Sequence, residues 1–153
     1  MKFFPRKGGP GPAWWFFMNI MVIDAQGGGI GRQVVAAIKK NFPKETVTAV
    51  GTNSASTSAM LKAGADQGAT GENAVVVCCR QADLIIGPVG IVIADALLGE
   101  VTPAMALAVG QSRAKRILIP VNHCDNYIVG VPDLTIARLV EGVVQEVGRS
   151  LKR

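Results

Sequence analysis

Residues 18–34 read MNIMVIDAQGGGIGRQV, and the fold turns on them. NIMVIDA (19–25) is a short, apolar, β-branched run stopped by glycine, the composition of a strand buried on both faces of a parallel sheet. Four glycines then fall in five positions: Gly27, Gly28, Gly29 and Gly31. From Gly29 onward Ile30, Val34, Val35 and Ile38 recur at helical spacing and finish in KKNFP (39–43). Strand, glycine turn and helix form the opening unit of a doubly wound α/β sheet. In such a unit the backbone amides at the helix start are expected to lie bare and convergent, ready for an anion. The bland alternative is a tight turn that only packs a helix on a strand. One glycine suffices for that, and four are costly in unfolded-state entropy, which favours a ligand.

The pattern continues outward. TVTAVGT (46–52) supplies a second strand, and SASTSAMLKAGA (54–65) a helix capped by serine and closed by Gly64. Residues 71–81 are expected to be helical, although AVVVCC has strand composition. DLIIG (83–87) is the third strand, and two small-residue helices follow, GIVIADALLGE (90–100) and TPAMALAVGQSRA (102–114). KRILIPV (115–121) is the fourth strand, YIVGV (127–131) a short fifth, and PDLTIARLVEGVVQEVGR (132–149) a terminal amphipathic helix with Pro132 near its start. Alternating strands and helices predict a Rossmann-like three-layer α/β sandwich with a mainly parallel sheet of four or five strands.

Three phosphate-binding patterns can be laid over the turn, and each fails somewhere. With Gly31 as the second glycine of a P-loop, Gln26, Arg32 and Gln33 stand where glycine, lysine and Ser or Thr are required, so the residues for terminal phosphates and magnesium are missing. The dinucleotide pattern finds Gly28 and Gly31, but Gln26 replaces its first glycine. The turn is most similar to that of short-chain dehydrogenases, with Ala25, Gly29, Ile30, Gly31 and Arg32 in the corresponding places and alanine where the first glycine belongs. Those enzymes pair a tyrosine with a lysine four residues later. Here the only tyrosine, Tyr127, has Val131 at that spacing. The acidic residue that would hold a ribose hydroxyl after the second strand is also missing, since that strand ends in Gly51, Thr52, Asn53 and Ser54.

Ligands in such sheets bind beyond the carboxyl ends of the strands. The candidate ligand contacts are therefore Asp24, which could equally be a strand-end cap, Gln26, Gly27, Gly28, Gly29, Ile30, Gly31 and Arg32 on the first turn, Thr52 and Asn53 after the second strand, and Gly87 and Pro88 after the third. The fourth strand runs into His123, Cys124 and Asp125, which could serve as acid or base, nucleophile and orienting carboxylate. Three consecutive side chains seldom face one another, so a polar loop is the stronger reading there. Cys78, Cys79, His123 and Cys124 lack a recognised zinc spacing, and no metal is expected.

The net charge of +5 does not mark a nucleic-acid binder. Six of the 16 cations (Lys2, Arg6, Lys7, Arg149, Lys152, Arg153) lie at the chain ends, and the other ten face 11 acids. The head, MKFFPRKGGPGPAWWFF, fails as a secretory signal because its apolar run continues into the first strand. Residues 1–17 are expected to be a disordered or artefactual extension, with Met18 the natural start of a single domain spanning 18–153. No run reaches the roughly 18 apolar residues of a membrane span.

MNIMVIDAQGGGIGR at the start, ATGENAVVV and ADLIIGPVGIVIADALLGEVTPAMA in the middle and ILIPVNHC near the end together resemble a family of small bacterial proteins known as a conserved domain of unknown function. The resemblance runs from Met18 to Val147 and implies a cytoplasmic Rossmann-like protein without bringing an activity. The leading expectation is a binding protein for a nucleotide, NAD(P) among the candidates, or another small phosphate-containing ligand, working as a homodimer without nucleic acid or membrane. The competing readings are a small enzyme acting on a phosphorylated or anionic metabolite through His123–Asp125, and a structural partner protein with no ligand.

Overall fold

The computed structural model describes residues 17–121 and 126–152. The first strand, β1 (Asn19–Asp24), is buried on both sides because its residues alternate between two apolar layers. Met21 and Ile23 enter one core, and Ile20 and Val22 the other. Helix α1 (Gly29–Asn41) returns the chain to β2 (Thr46–Gly51), which lies parallel to β1 with Asn19 opposite Thr46 and Asp24 opposite Gly51. Then come α2 (Ser54–Lys62), β3 (Gln67–Thr70), α3 (Glu72–Cys79), β4 (Leu84–Pro88), a 3-10 turn (Val89–Val92), α4 (Pro103–Gln111), β5 (Lys115–Ile119) and α5 (Ile136–Leu151). The five strands are all parallel, in the order β3-β2-β1-β4-β5.

This order places a topological switch between β1 and β4, where the chain reverses its direction of travel across the sheet. Val34, Val35 and Ile38 of α1, Met60 of α2 and Val143 and Val147 of α5 pack over one face of the sheet. Val75 and Cys79 of α3 and Met105, Ala106 and Val109 of α4 cover the other. The structure is thus the three-layer Rossmann-like sandwich that the strand–helix alternation implies.

Several elements differ from their sequence reading. The fifth strand is Gln67–Thr70, not Tyr127–Val131. β3 is a polar edge strand with no apolar alternation, whereas Tyr127 and Val129 are both 84% exposed and Gly130 takes φ +80°. GIVIADALLGE is not a helix beyond its opening 3-10 turn. Asp95, Leu97 and Leu98 have φ of 61°, 56° and 58°, left-handed values that no right-handed helix can contain. Asn53, not a serine, caps α2 by accepting the Ser56 amide. Thr135 caps α5 by accepting the Arg138 amide, which leaves Pro132 in the preceding loop.

Candidate functional site

Asp24, the last residue of β1, organises the glycine turn. Its side chain is buried, with Oδ1 accepting the Ala25 amide at 2.8 Å and Oδ2 the Gly31 amide at 2.6 Å. The strand thereby caps the helix in place of Gly28, which sits at the N-cap with φ 71° and has no side chain to offer. Burial raises the Asp24 carboxyl above the ordinary 3.8, against the lowering effect of the Gly31 and Ala25 amides; the Glu100 charge adds to the rise and the Ile30 amide opposes it.

The four glycines divide into two kinds. A Cβ on Gly31 would lie 2.6 Å from Met60 Sδ and 2.8 Å from Asp24 Cβ, and one on Gly28 would lie 3.0 Å from both the Cα and the carbonyl oxygen of Ser56. These two are demanded by close packing of α1 on β1 and α2. A Cβ on Gly27 or Gly29 would meet nothing within 4 Å, and neither residue has a positive φ. Nothing in the fold of the turn calls for glycine at those two positions.

The amides divide too, which corrects the expectation that they lie uniformly bare. Those of Ala25 and Gly31 are taken by Asp24, and that of Gly28 by the Ala25 carbonyl at 3.0 Å. The Gln26 amide donates at 2.5 Å to Oε2 of Glu100, a residue 74 positions away. Among the described residues, the amides of Gly27 and Gly29 have no hydrogen-bond partner. Glu100 also accepts from Thr52 Oγ1 at 3.2 Å and Asn53 Nδ2 at 3.1 Å, while Asn53 Nδ2 reaches the Gln26 carbonyl at 2.9 Å. A carboxylate thus stands near the end of β2 after all, supplied by the connection between β4 and α4.

A cleft of about 690 Å³ opens at the switch point. Asp24, Ala25, Gln26, Gly27, Gly29 and Ile30 form one wall with Gln33. Pro88 at the end of β4 and Leu97, Pro120 and Val121 from the neighbouring connections continue the lining, and the segment from Tyr127 to Leu139 supplies the remainder, including Ile128, Val131, Leu134 and Ile136. One side is backbone and polar, the other largely apolar, which suits a small ligand with a polar end and an apolar body.

Of the residues singled out from sequence, Asp24, Gln26, Gly27, Gly29, Ile30 and Pro88 line this cleft together. Gly28 and Gly31 lie beneath it as packing residues. Thr52 and Asn53 are held by Glu100 beside it, and Arg32 is exposed with its amide bonded to the Gly28 carbonyl. Gly87 is wedged where a Cβ would come 2.6 Å from the Ile23 carbonyl oxygen. His123, Cys124 and Asp125 fall outside the described residues, as does the head up to residue 16. Cys79, at the end of α3, is buried in the core, and burial, with a smaller contribution from Cys78, pushes its thiol up to about 11. Glu100, Gln33 and the Tyr127–Leu139 segment were missed from sequence because no local motif marks them.

Fold and cleft together define a Rossmann-like α/β protein with a ligand-sized opening at its switch point. The chain belongs to the family described as domain of unknown function DUF3842, whose model matches residues 19–152. No curated protein matches it. Among solved structures it is similar to the crystal structure of a dodecameric FMN-dependent UbiX-like decarboxylase from Escherichia coli O157:H7, at 14% identity and a TM-score of 0.46, over 86% of this chain and 94% of that one. Among the described residues no helix is long and apolar enough to cross a membrane.

Proposed function

We propose that this protein binds a small phosphate-bearing ligand, a nucleotide such as NAD(P), in the cleft at the switch point. A phosphate would rest against the Gly27–Ile30 backbone, and the rest of the ligand would lie under the Tyr127–Leu139 segment. The observation that carries this reading is the pair Gly27 and Gly29. Both line the cleft, both present amides without a partner among the described residues, and neither is glycine for reasons of packing or backbone conformation. Bare backbone at the start of a 13-residue helix is what close approach by an anion requires.

Two carboxylates oppose an anion there, and magnitudes decide the outcome. Asp24 is buried, and both of its carboxyl oxygens are already held by backbone amides. Glu100 is partly exposed. At an effective dielectric of about 20, a like charge a few ångströms from the anion costs on the order of a few kcal/mol. Two charge-assisted hydrogen bonds to phosphate, at about 1.5–3 kcal/mol each, offset that.

The test is a thermal-shift and calorimetric survey of NAD(P), mononucleotides and sugar phosphates, run in parallel on wild type, Gly27→Ala and Gly29→Ala. At least one compound should stabilise the wild type and lose affinity at least tenfold in both variants. Indifference of the wild type to every compound, or equal binding by the variants, would contradict the proposal. Homodimerisation is part of the same proposal, supported by Leu118, 37% exposed on the edge strand β5, and Leu107, 58% exposed on α4. Light scattering reads it directly.

A further inference from the structure

Glu100 occupies a cradle built from two other parts of the chain. Its carboxylate draws the Gln26 amide at 2.5 Å, Thr52 Oγ1 at 3.2 Å and Asn53 Nδ2 at 3.1 Å. All three donors are neutral, and together they favour an anion. The cleft is lined by Gln26, whose amide is one of the three donors, so the cradle adjoins it, with Thr52 and Asn53 outside the lining.

The backbone that delivers this carboxylate is anchored. The Asp95 amide donates to the Val101 carbonyl at 2.8 Å and the Val101 amide to the Ala96 carbonyl at 3.2 Å, while Ala96, Leu97 and Val101 are buried. Asp95, Leu97 and Leu98 hold left-handed φ values that L-residues rarely adopt, so the loop keeps a disfavoured conformation that presents the carboxylate to the cradle. Moving the whole loop would expose the buried anchors. Moving the partly exposed Glu100 side chain alone would not.

We propose that Glu100 is a resident anion in a second anion subsite, formed by the Gln26 amide, Thr52 and Asn53, and that a phosphoryl group of the ligand binds there by displacing the Glu100 side chain into solvent. This rests on the reading of the cleft as a phosphate-ligand site and extends it: the ligand carries two anionic groups, one on Gly27 and Gly29 and one in the cradle. Glu100 then acts as a built-in competitor. It keeps the cradle filled when no ligand is present and admits only a group anionic enough to replace it.

Calorimetric titration with inorganic pyrophosphate at fixed ionic strength tests this on the full chain as wild type, Glu100→Ala, Glu100→Gln, Thr52→Val and the Glu100→Ala/Thr52→Val double variant. Removing the competitor should tighten pyrophosphate binding at least tenfold in Glu100→Ala and less in Glu100→Gln, and Thr52→Val should cancel at least threefold of the gain. No gain in either Glu100 variant would overturn the proposal. So would a gain that Thr52→Val leaves intact, since Glu100 would then act only by long-range repulsion. If Glu100→Ala does not fold, Glu100→Gln and a Glu100→Gln/Thr52→Val double variant carry the same two criteria. The two readings fail separately. Loss of binding in Gly29→Ala with no gain on removing Glu100 sinks the second subsite alone; a Thr52-dependent gain that survives Gly29→Ala supports the cradle without the glycine turn.

Discussion

Gly31→Ala and Gly29→Ala place the same methyl two residues apart on the first turn of α1, and the structure assigns them opposite effects on stability. At Gly31 the new Cβ would come within 2.6 Å of Met60 Sδ and 2.9 Å of Asp24 Oδ2, so α1 must lift from β1 and α2. Overpacking of this kind costs about 1–3 kcal/mol. Lifting the helix also stretches the 2.6 Å hydrogen bond from the Gly31 amide to Asp24, a charged-acceptor bond worth about 1.5–3 kcal/mol, of which part is lost. The gain in helix propensity returns about 1 kcal/mol. The net is a loss of about 2–3 kcal/mol, or a fall in Tm of roughly 8–12 °C at about 4 °C per kcal/mol for a domain of this size. At Gly29 the methyl enters open space, so only the propensity gain remains, and Tm should hold or rise by roughly 1–4 °C. Thermal unfolding followed by circular dichroism measures both. A Gly31→Ala protein as stable as wild type, or a Gly29→Ala protein that falls as far, would refute the division of the glycines into packing and open positions.

Two further predictions concern pH. Because burial raises the Asp24 pKa above 3.8, the contribution of this carboxyl to stability is fully present below that value and is lost as pH rises through its folded pKa. Urea unfolding from pH 3.5 to 8 should therefore show the stability of wild type relative to Asp24→Asn declining as pH rises; a rising or flat difference would contradict the burial argument. Glu146 behaves oppositely. Its hydrogen bonds with Lys115 and then Arg149 lower its pKa below 4.5, so its contribution is present above that value and disappears as pH falls through the lowered one. Wild type should lead Glu146→Gln at pH 7, with the gap closing in acid and narrowing in high salt; a gap independent of pH would show that the pair does not act through charge.

The central strands were legible because burial on both faces imposes an unbroken apolar run, as in NIMVID and DLIIG. β3 was not, because QGAT sits at a sheet edge where backbone pairing with β2 needs no apolar face. GIVIADALLGE misled because its composition is helical while three of its residues take left-handed angles that composition does not reveal. In the site, the glycine turn was visible as local sequence, but which glycines serve packing depends on Met60 and Ser56, contributed by α2. Glu100 was invisible for a similar reason: its partners Gln26, Thr52 and Asn53 meet it only through tertiary folding.

The most direct measurement of the central claim is an amide-resolved NMR titration of the protein with the compound that gives the largest thermal shift. The account predicts that the amide resonances of Gly27 and Gly29 move first and furthest, with Ile30 and the Tyr127–Leu139 segment following, while Gly64 and Gly148, which do not line the cleft, stay in place. Binding that leaves the Gly27 and Gly29 amides unmoved would contradict it.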